Sequence, residues 1–302
     1  MGHGDTTEVD AGTAVLAALT SIADRLRELE PAALADEPDA VHQLRTHVRR
    51  VRSLLAAFAP VFDGAAAVAL RRRYGELGDE LGTVRDIEVR MQVAEEALDE
   101  ASDHGDLDDG RREAARARLI DDERETHRLA HARFAERQGL PRAAARRAAL
   151  EAFLADPPLA RLSGEPAHDV LADLISEEAR RTLRRVDRLG GDDDPLALHE
   201  VRKAGRRLRY AAEAVSTEPA EIFDGRVRDL AQVGHELHDV LGDHRDEVLF
   251  AEHVRRTAAH VAHEGGAAIM YEQLAEAADR RAALRLRELP SVLKRLRRLV
   301  ED

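Results

Sequence analysis

Residues Val41–Phe58 read VHQLRTHVRRVRSLLAAF, and residues Leu198–Val215 read LHEVRKAGRRLRYAAEAV. Wound as an α-helix at about 100° per residue, each stretch sorts into two faces. With His42 as origin, Arg45, Arg49 and Arg52 fall within about 80° on one side and Arg50 about 80° on the other. Leu44, Val48, Val51, Leu55 and Phe58 gather opposite them. The second stretch gives the same wheel, with His199, Arg202, Lys203, Arg206, Arg207 and Arg209 on the cationic side and Val201, Leu208, Ala212 and Val215 beneath. Each is an amphipathic helix with one apolar face for the core and one arginine-rich face.

The duplication extends beyond these helices. Phe62-Asp63-Gly64 recurs as Phe223-Asp224-Gly225, Leu81-Gly82-x-x-Arg85-Asp86 as Leu241-Gly242-x-x-Arg245-Asp246, and Leu140-Pro141 as Leu289-Pro290, in the same order each time. A unit of about 150 residues is too long for a solenoid repeat. The expected arrangement is two similar helical bundles, residues 1–158 and 159–302, packed about a pseudo-twofold axis that brings the two basic helices to one shared surface. The Pro-containing stretch from Ala155 to Glu165 is the natural junction.

Helical periodicity persists along almost the whole chain, aromatic residues are only 3%, and alternating β-branched runs are missing, which together make the protein all-α. Breakers divide it into about twelve helices: 10–30, 38–60, 64–82, 84–103, 109–138, 141–155, 166–189, 195–216, 220–242, 244–263, 266–288 and 290–301. Asp36-Glu37-Pro38 and Asp193-Asp194-Pro195 each offer a capping carboxylate ahead of a first-turn proline, just before the two basic helices. Gly82 and Gly242 are read as left-handed C-caps.

The 302 residues, 44% of them hydrophobic, suffice for a substantial core. Cysteine is absent, so the sequence offers no disulfide framework, thiolate metal site or cysteine nucleophile, and it fits a reducing, cytoplasmic setting. The N-terminus has no positive leader, and no apolar run approaches the roughly 18 residues of a membrane span, so neither a signal peptide nor an anchor is expected. The net charge of −13 disfavours a non-specific DNA-coating protein. The charges are sorted, however. Val41 to Ala59 holds four Arg and two His with no Asp or Glu, whereas Asp99 to Asp109 holds six acids in eleven residues.

Arg45/Arg49, Arg49/Arg52, Arg202/Arg206 and Arg206/Arg209 are like-charge neighbours one helical turn apart, each costing a few tenths of a kcal/mol. Acids on other helices or a bound anion must offset them. Arginine suits phosphate, because a permanently charged guanidinium donates two parallel hydrogen bonds. Bases are poorly served: there is no Trp, and of Tyr74, Tyr210 and Tyr271 only Tyr210 lies on a basic face. Phosphate without bases is the ligand class that fits best, with a nucleic-acid backbone as an alternative. His42 and His199, if they touch phosphate, should tighten binding as pH falls through about 6.5.

Two other readings stay open. His235-x-x-His238-Asp239, with His244 close behind, has the look of a helical metal-dependent phosphohydrolase, but the matching first-half positions near Gly78 and Asp79 supply no histidine. An interaction protein docking carboxylate-bearing partners is the third class. Further basic runs at Arg71–Arg73, Arg180–Arg185 and Lys294–Arg298 read as solvated or salt-bridged faces.

The doubled pattern His42-x-x-Arg45-x-x-x-Arg49-Arg50-x-Arg52 and His199-x-x-Arg202-Lys203-x-x-Arg206-Arg207-x-Arg209-Tyr210, each followed by Leu-Gly-x-x-Arg-Asp, resembles the conserved histidine α-helical domain, CHAD. The resemblance covers most of the chain. It implies a duplicated helical bundle that binds inorganic polyphosphate, with basic side chains of both halves lining a central cleft or pore, and that associates with polyphosphate granules and their proteins. The expectation is a binding module with no catalysis of its own and no metal or cofactor. It carries His42, Arg45, Arg49, Arg50, Arg52 and Arg85 to the binding site from the first half. From the second half it carries His199, Arg202, Lys203, Arg206, Arg207, Arg209 and Arg245. Thr46 stands where the second copy has Lys203, which weakens the first half's grip. Relatives often carry a fused triphosphate-tunnel domain marked by an ExExK strand; the motif is not found here, so the resemblance implies a stand-alone module.

Overall fold

The computed structural model describes residues 9–103, 108–190 and 194–301. Among them the chain is helical throughout and has no strand. The helices are α1 (Ala11–Leu34), α2 (Ala40–Ala57), α3 (Gly64–Asp103), α4 (Asp109–Arg116), α5 (Asp122–Gln138), α6 (Pro141–Ala155), α7 (Ala167–Val186), α8 (Pro195–Ser216), α9 (Arg226–His263), α10 (Ile269–Leu286) and α11 (Leu289–Glu301). A π-helical turn, Ala117–Asp121, joins α4 to α5. No described helix is long and apolar enough to cross a membrane.

The described residues form two compact units. One runs to Asp79 and takes in Gln138–His238 and the chain from Ser291; the other comprises Glu80–Arg137 and Asp239–Pro290. Each unit draws on both sequence halves.

In the first unit α2 packs against α1 on one side and α8 on the other, and α8 packs in turn on α7. The apolar faces read from the sequence are the ones buried: Leu44, Val48, Val51, Leu55 and Phe58 of α2, and Val201, Leu208, Ala212 and Val215 of α8. Each large aliphatic or aromatic side chain withdrawn from water in this way contributes about 1.5–3 kcal/mol. The second unit has its own core of Leu98, Leu119, Ile120, Phe250, Val254, Tyr271 and Leu274.

The helix boundaries differ from the sequence reading at several places: α9 starts at Arg226 rather than 220, the span 109–138 is interrupted by the π-helical turn, and the expected breaks at Gly82 and Gly242 are absent. Gly82 and Gly242 do not end their helices: both are buried within the continuous α3 and α9. Neither adopts the positive φ of a C-cap, which among described glycines belongs to Gly225 and Gly265. Burial of the flanking residues offsets the roughly 1 kcal/mol that glycine costs inside a helix. The cap of α2 also differs. Pro38 lies outside the helix, which starts at Ala40 behind Asp39, and Asp39 is left-handed with φ 62° and makes no side-chain cap. Its carboxylate accepts instead from Gln43 Nε2 at 3.2 Å. Asp36 is left-handed too, at φ 58°, so two short polar residues that tolerate this region turn the chain before the helix can begin. At α8 the expected cap forms, with Asp194 accepting from Leu196 N at 3.0 Å beside Pro195 in the first turn. Asp193 lies outside the described residues.

Glycine brings α8 and α9 together. A Cβ on Gly234 would stand 2.8 Å from Arg209 N and 2.9 Å from Gly205 O, both backbone atoms that cannot rotate away. Gly234→Ala is therefore expected to cost about 3 kcal/mol through overpacking. Gly64→Ala, where nothing lies within 4 Å of the added methyl, should leave the melting temperature nearly unchanged. Thermal unfolding of the two variants checks this; equal melting temperatures would contradict the close approach.

Candidate anion-binding site

The contact between α2 and α8 carries the cationic faces of both helices together. Arg45, Arg49 and Arg52 of α2 and Arg202 and Arg206 of α8 form one cluster. Burial, then the charges of Arg45, Arg206 and Arg202, lower the Arg49 guanidinium from its usual range to about 8. Burial, then Arg202, and after it Arg45 and Arg52, lower Arg206 to about 10. Tyr210 works against the shift at both residues. Neither Arg49 nor Arg206 makes an ion pair with a described residue. Guanidinium stays charged through neutrality, so two half-buried like charges are held together at the centre of the cluster with no described acid paired to either.

Local sequence places each member. Arg52 lies across a glycine-lined stretch of α3: a Cβ on Gly78 would stand 3.0 Å from Arg52 Nη1, and one on Gly75 would stand 3.7 Å from Nη2. A Cβ at Gly78 would crowd the guanidinium, whereas one at Gly75 would meet it at ordinary contact distance. The two glycines at i and i+3 were the signal in the sequence for this seat.

The remaining predicted residues divide by their partners. Arg50 Nη2 donates to Glu213 Oε2 at 3.4 Å, and Arg209 Nε donates to Glu213 Oε1 at 2.6 Å. Both guanidiniums also lie 5.5 Å from the centroid of the Tyr210 ring, a separation at which cation and ring attract. Arg207 turns away from the cluster and donates to Glu178 on α7, a carboxylate 1% exposed that also accepts from Arg181 Nη1 at 2.9 Å. Lys203 pairs with Glu200 at 2.8 Å. His42 is exposed and His199 half-buried. Arg85 and Arg245 belong to the second unit, where Arg85 pairs with Glu88 at 2.9 Å. Tyr210, Glu213 and Glu178 were not among the site residues read from the sequence.

The other basic runs are largely matched by acids, as their composition suggested. Arg180, Arg181 and Arg184 share Glu177, Arg295 pairs with Glu236, and Arg297 pairs with Asp187. His244 Nδ1 bonds with the Ala282 carbonyl at 3.1 Å. Among the described residues, no group of side chains at metal-ligand spacing includes His235, His238 or His244.

What the cluster can do chemically follows from its composition. Several guanidiniums converge from two helices with no described carboxylate paired to the central two, an arrangement whose chemistry suits a polyvalent anion. Residues 17–255 match the CHAD domain. The chain belongs to the CHAD family. Two curated Mycobacterium tuberculosis proteins, from different strains and both described as uncharacterized, are each 29% identical to it over 271 residues. The match takes in 87% of this chain and 50% of theirs, so the chain spans about half the length of these relatives. Two solved structures share the fold. PptA from Streptomyces chartreusis superposes with a TM-score of 0.68 at 19% identity, over 97% of this chain and 100% of that one. The crystal structure of the CHAD domain from the plant Ricinus communis superposes with a TM-score of 0.68 at 22% identity, over 97% of this chain and 92% of that one.

Proposed function

We propose that this CHAD domain binds inorganic polyphosphate, without catalysis of its own, on the cationic face shared by α2 and α8. The observation that carries the reading is the Arg49–Arg206 pair, two neighbouring cations that no described acid neutralises. A chain of phosphates fits this pair and its neighbours Arg45, Arg52 and Arg202 better than a single phosphate does, because one ligand then answers several charges and releases their counter-ions. On this reading the protein is a cytoplasmic polyphosphate receptor that associates with polyphosphate granules.

Tyr210 supports phosphate over unpaired bases. It is buried at 5% exposure, and guanidiniums of Arg50 and Arg209 lie over its ring. The aromatic residue on the basic face is thus occupied and offers no platform for a base.

Calorimetric titration with long-chain polyphosphate and with duplex DNA at equal charge concentration tests the reading. Selective binding of polyphosphate is expected, weakening about a hundredfold between about 50 and 200 mM salt for a contact set of this size. The phosphate chain length should be the same after the titration as before it. Equal or tighter binding of DNA would defeat the proposal in favour of a nucleic-acid backbone, and shortening of the chain would defeat the non-catalytic part.

A further inference from the structure

Glu213 is a carboxylate set inside a cationic face. Its oxygens are divided between the two basic helices: Oε2 accepts from Arg50 of α2 at 3.4 Å and Oε1 from Arg209 of α8 at 2.6 Å. Two guanidiniums donating to separate oxygens of one anion is the arrangement a phosphate would receive from the same pair. Tyr210 fixes the geometry from the other side, with both guanidiniums 5.5 Å from its ring centroid. Glu213 is also partly open to solvent, its side chain 27% exposed, so it can leave by rotating outward. By contrast Glu178, which holds Arg207, is 1% exposed and has no such exit.

We infer that Glu213 is an internal competitor for the anion site, displaced by a phosphate chain long enough to reach Arg50 and Arg209 from Arg49 and Arg206. The inference rests on the polyphosphate reading above. Arg49 and Arg206 are charged and unmatched by a described acid, so a phosphate engages them first. Arg50 and Arg209 are already occupied, and a second phosphate gains them only by displacing the carboxylate. A free short anion competes with Glu213 at its bulk concentration. A long chain anchored at Arg49 and Arg206 presents its next phosphates at an effective concentration in the millimolar range or above, and so displaces Glu213. The carboxylate therefore costs a long chain the free energy of its displacement, whereas a short anion held at Arg49 and Arg206 alone leaves it in place.

The test is calorimetric titration of the wild type and of Glu213→Gln with tripolyphosphate and with long-chain polyphosphate at one salt concentration. Glutamine keeps the shape and removes the charge. Long-chain polyphosphate is expected to bind about tenfold more tightly to the variant and tripolyphosphate no more than about threefold, so the preference for long chains grows. A purely structural clamp would instead weaken both ligands in parallel, and that outcome, or an unchanged ratio, overturns the inference while leaving the polyphosphate reading intact. A wild type that binds neither ligand overturns both. Should Glu213→Gln fail to fold, Glu213→Asp keeps the charge but is too short to span both guanidiniums. It is expected to raise the ratio of long-chain to tripolyphosphate affinity about threefold, and an unchanged ratio there counts equally against the inference.

Discussion

Replacing Arg49 and Arg206 together by methionine is expected to weaken polyphosphate binding by a hundredfold or more and, at the same time, to raise the melting temperature. The first effect follows from losing two charge-assisted phosphate contacts, each contributing about 1.5–3 kcal/mol. The second follows from the unliganded site. Both guanidiniums are half-buried, lie near one another and near Arg45 and Arg202, and have no described ion-pair partner, so the folded state carries their repulsion and desolvation. Methionine fills most of the aliphatic volume without the charge. A gain of about 2 kcal/mol, or roughly 4 °C in a chain of this size, is the expected order. The sign of its pH dependence is fixed as well. Burial, then the neighbouring arginines, lower the Arg49 guanidinium in the folded chain to about 8, well below a free guanidinium. The penalty is fully present below pH 8, where folded and unfolded chains are both protonated, and declines as pH rises above 8 because the folded chain then gives up the proton first. The thermal advantage of the variant should accordingly be constant from pH 6 to about 7.5 and shrink towards pH 10. Parallel loss of stability and binding would instead mean that the two arginines are structural.

Glu178→Gln should have the opposite profile, a large loss of stability with little direct effect on the ligand site. Glu178 is 1% exposed on α7 and accepts from Arg207 of α8 and from Arg181. Removing its charge leaves the Arg207 guanidinium, only 24% exposed, facing a neutral amide in the α7–α8 contact. Breaking a buried pair from one side costs about 3–5 kcal/mol. Glutamine retains one acceptor, and Arg181 is half in solvent, so about 3 kcal/mol is expected, or roughly 6 °C in melting temperature. Replacing Arg207 and Glu178 together by Met and Leu should recover most of that loss, because no unpaired charge then remains. A Glu178→Gln variant that melts with the wild type would show that Arg207 finds water or another acceptor. Polyphosphate affinity at a temperature where the variant is folded should stay within about threefold of wild type, since Arg207 points away from the cluster.

Much of this arrangement was legible in the sequence because helix periodicity sorts residues before any tertiary contact exists. The apolar stripes of α2 and α8 fixed which faces are buried, and the repeat of the Arg ladder implied that the two cationic faces belong together. Which cations would be neutralised was not legible. Glu178 meets Arg207 only because α7 packs on α8, and Glu213 meets Arg50 only because α8 packs on α2. Its pairing with Arg209 was visible in principle, since the two are four residues apart on one helix. The misplaced helix ends have a local cause. A glycine marks a C-cap only when its φ is positive, and residue identity does not reveal that sign; Gly82 and Gly242 run through their helices, whereas Gly225 takes the left-handed conformation ahead of α9.

The central claim is that the unmatched arginines of α2 and α8 are where phosphate binds, and the most direct measurement is a crystal structure of the protein with bound polyphosphate. The account predicts phosphate oxygens within hydrogen-bonding distance of Arg49 and Arg206 at once, with Arg45, Arg52 or Arg202 on neighbouring phosphates. Phosphate found only on the exposed runs at Arg71–Arg73 or Arg180–Arg185, with the Arg49–Arg206 pair still unliganded, would contradict it.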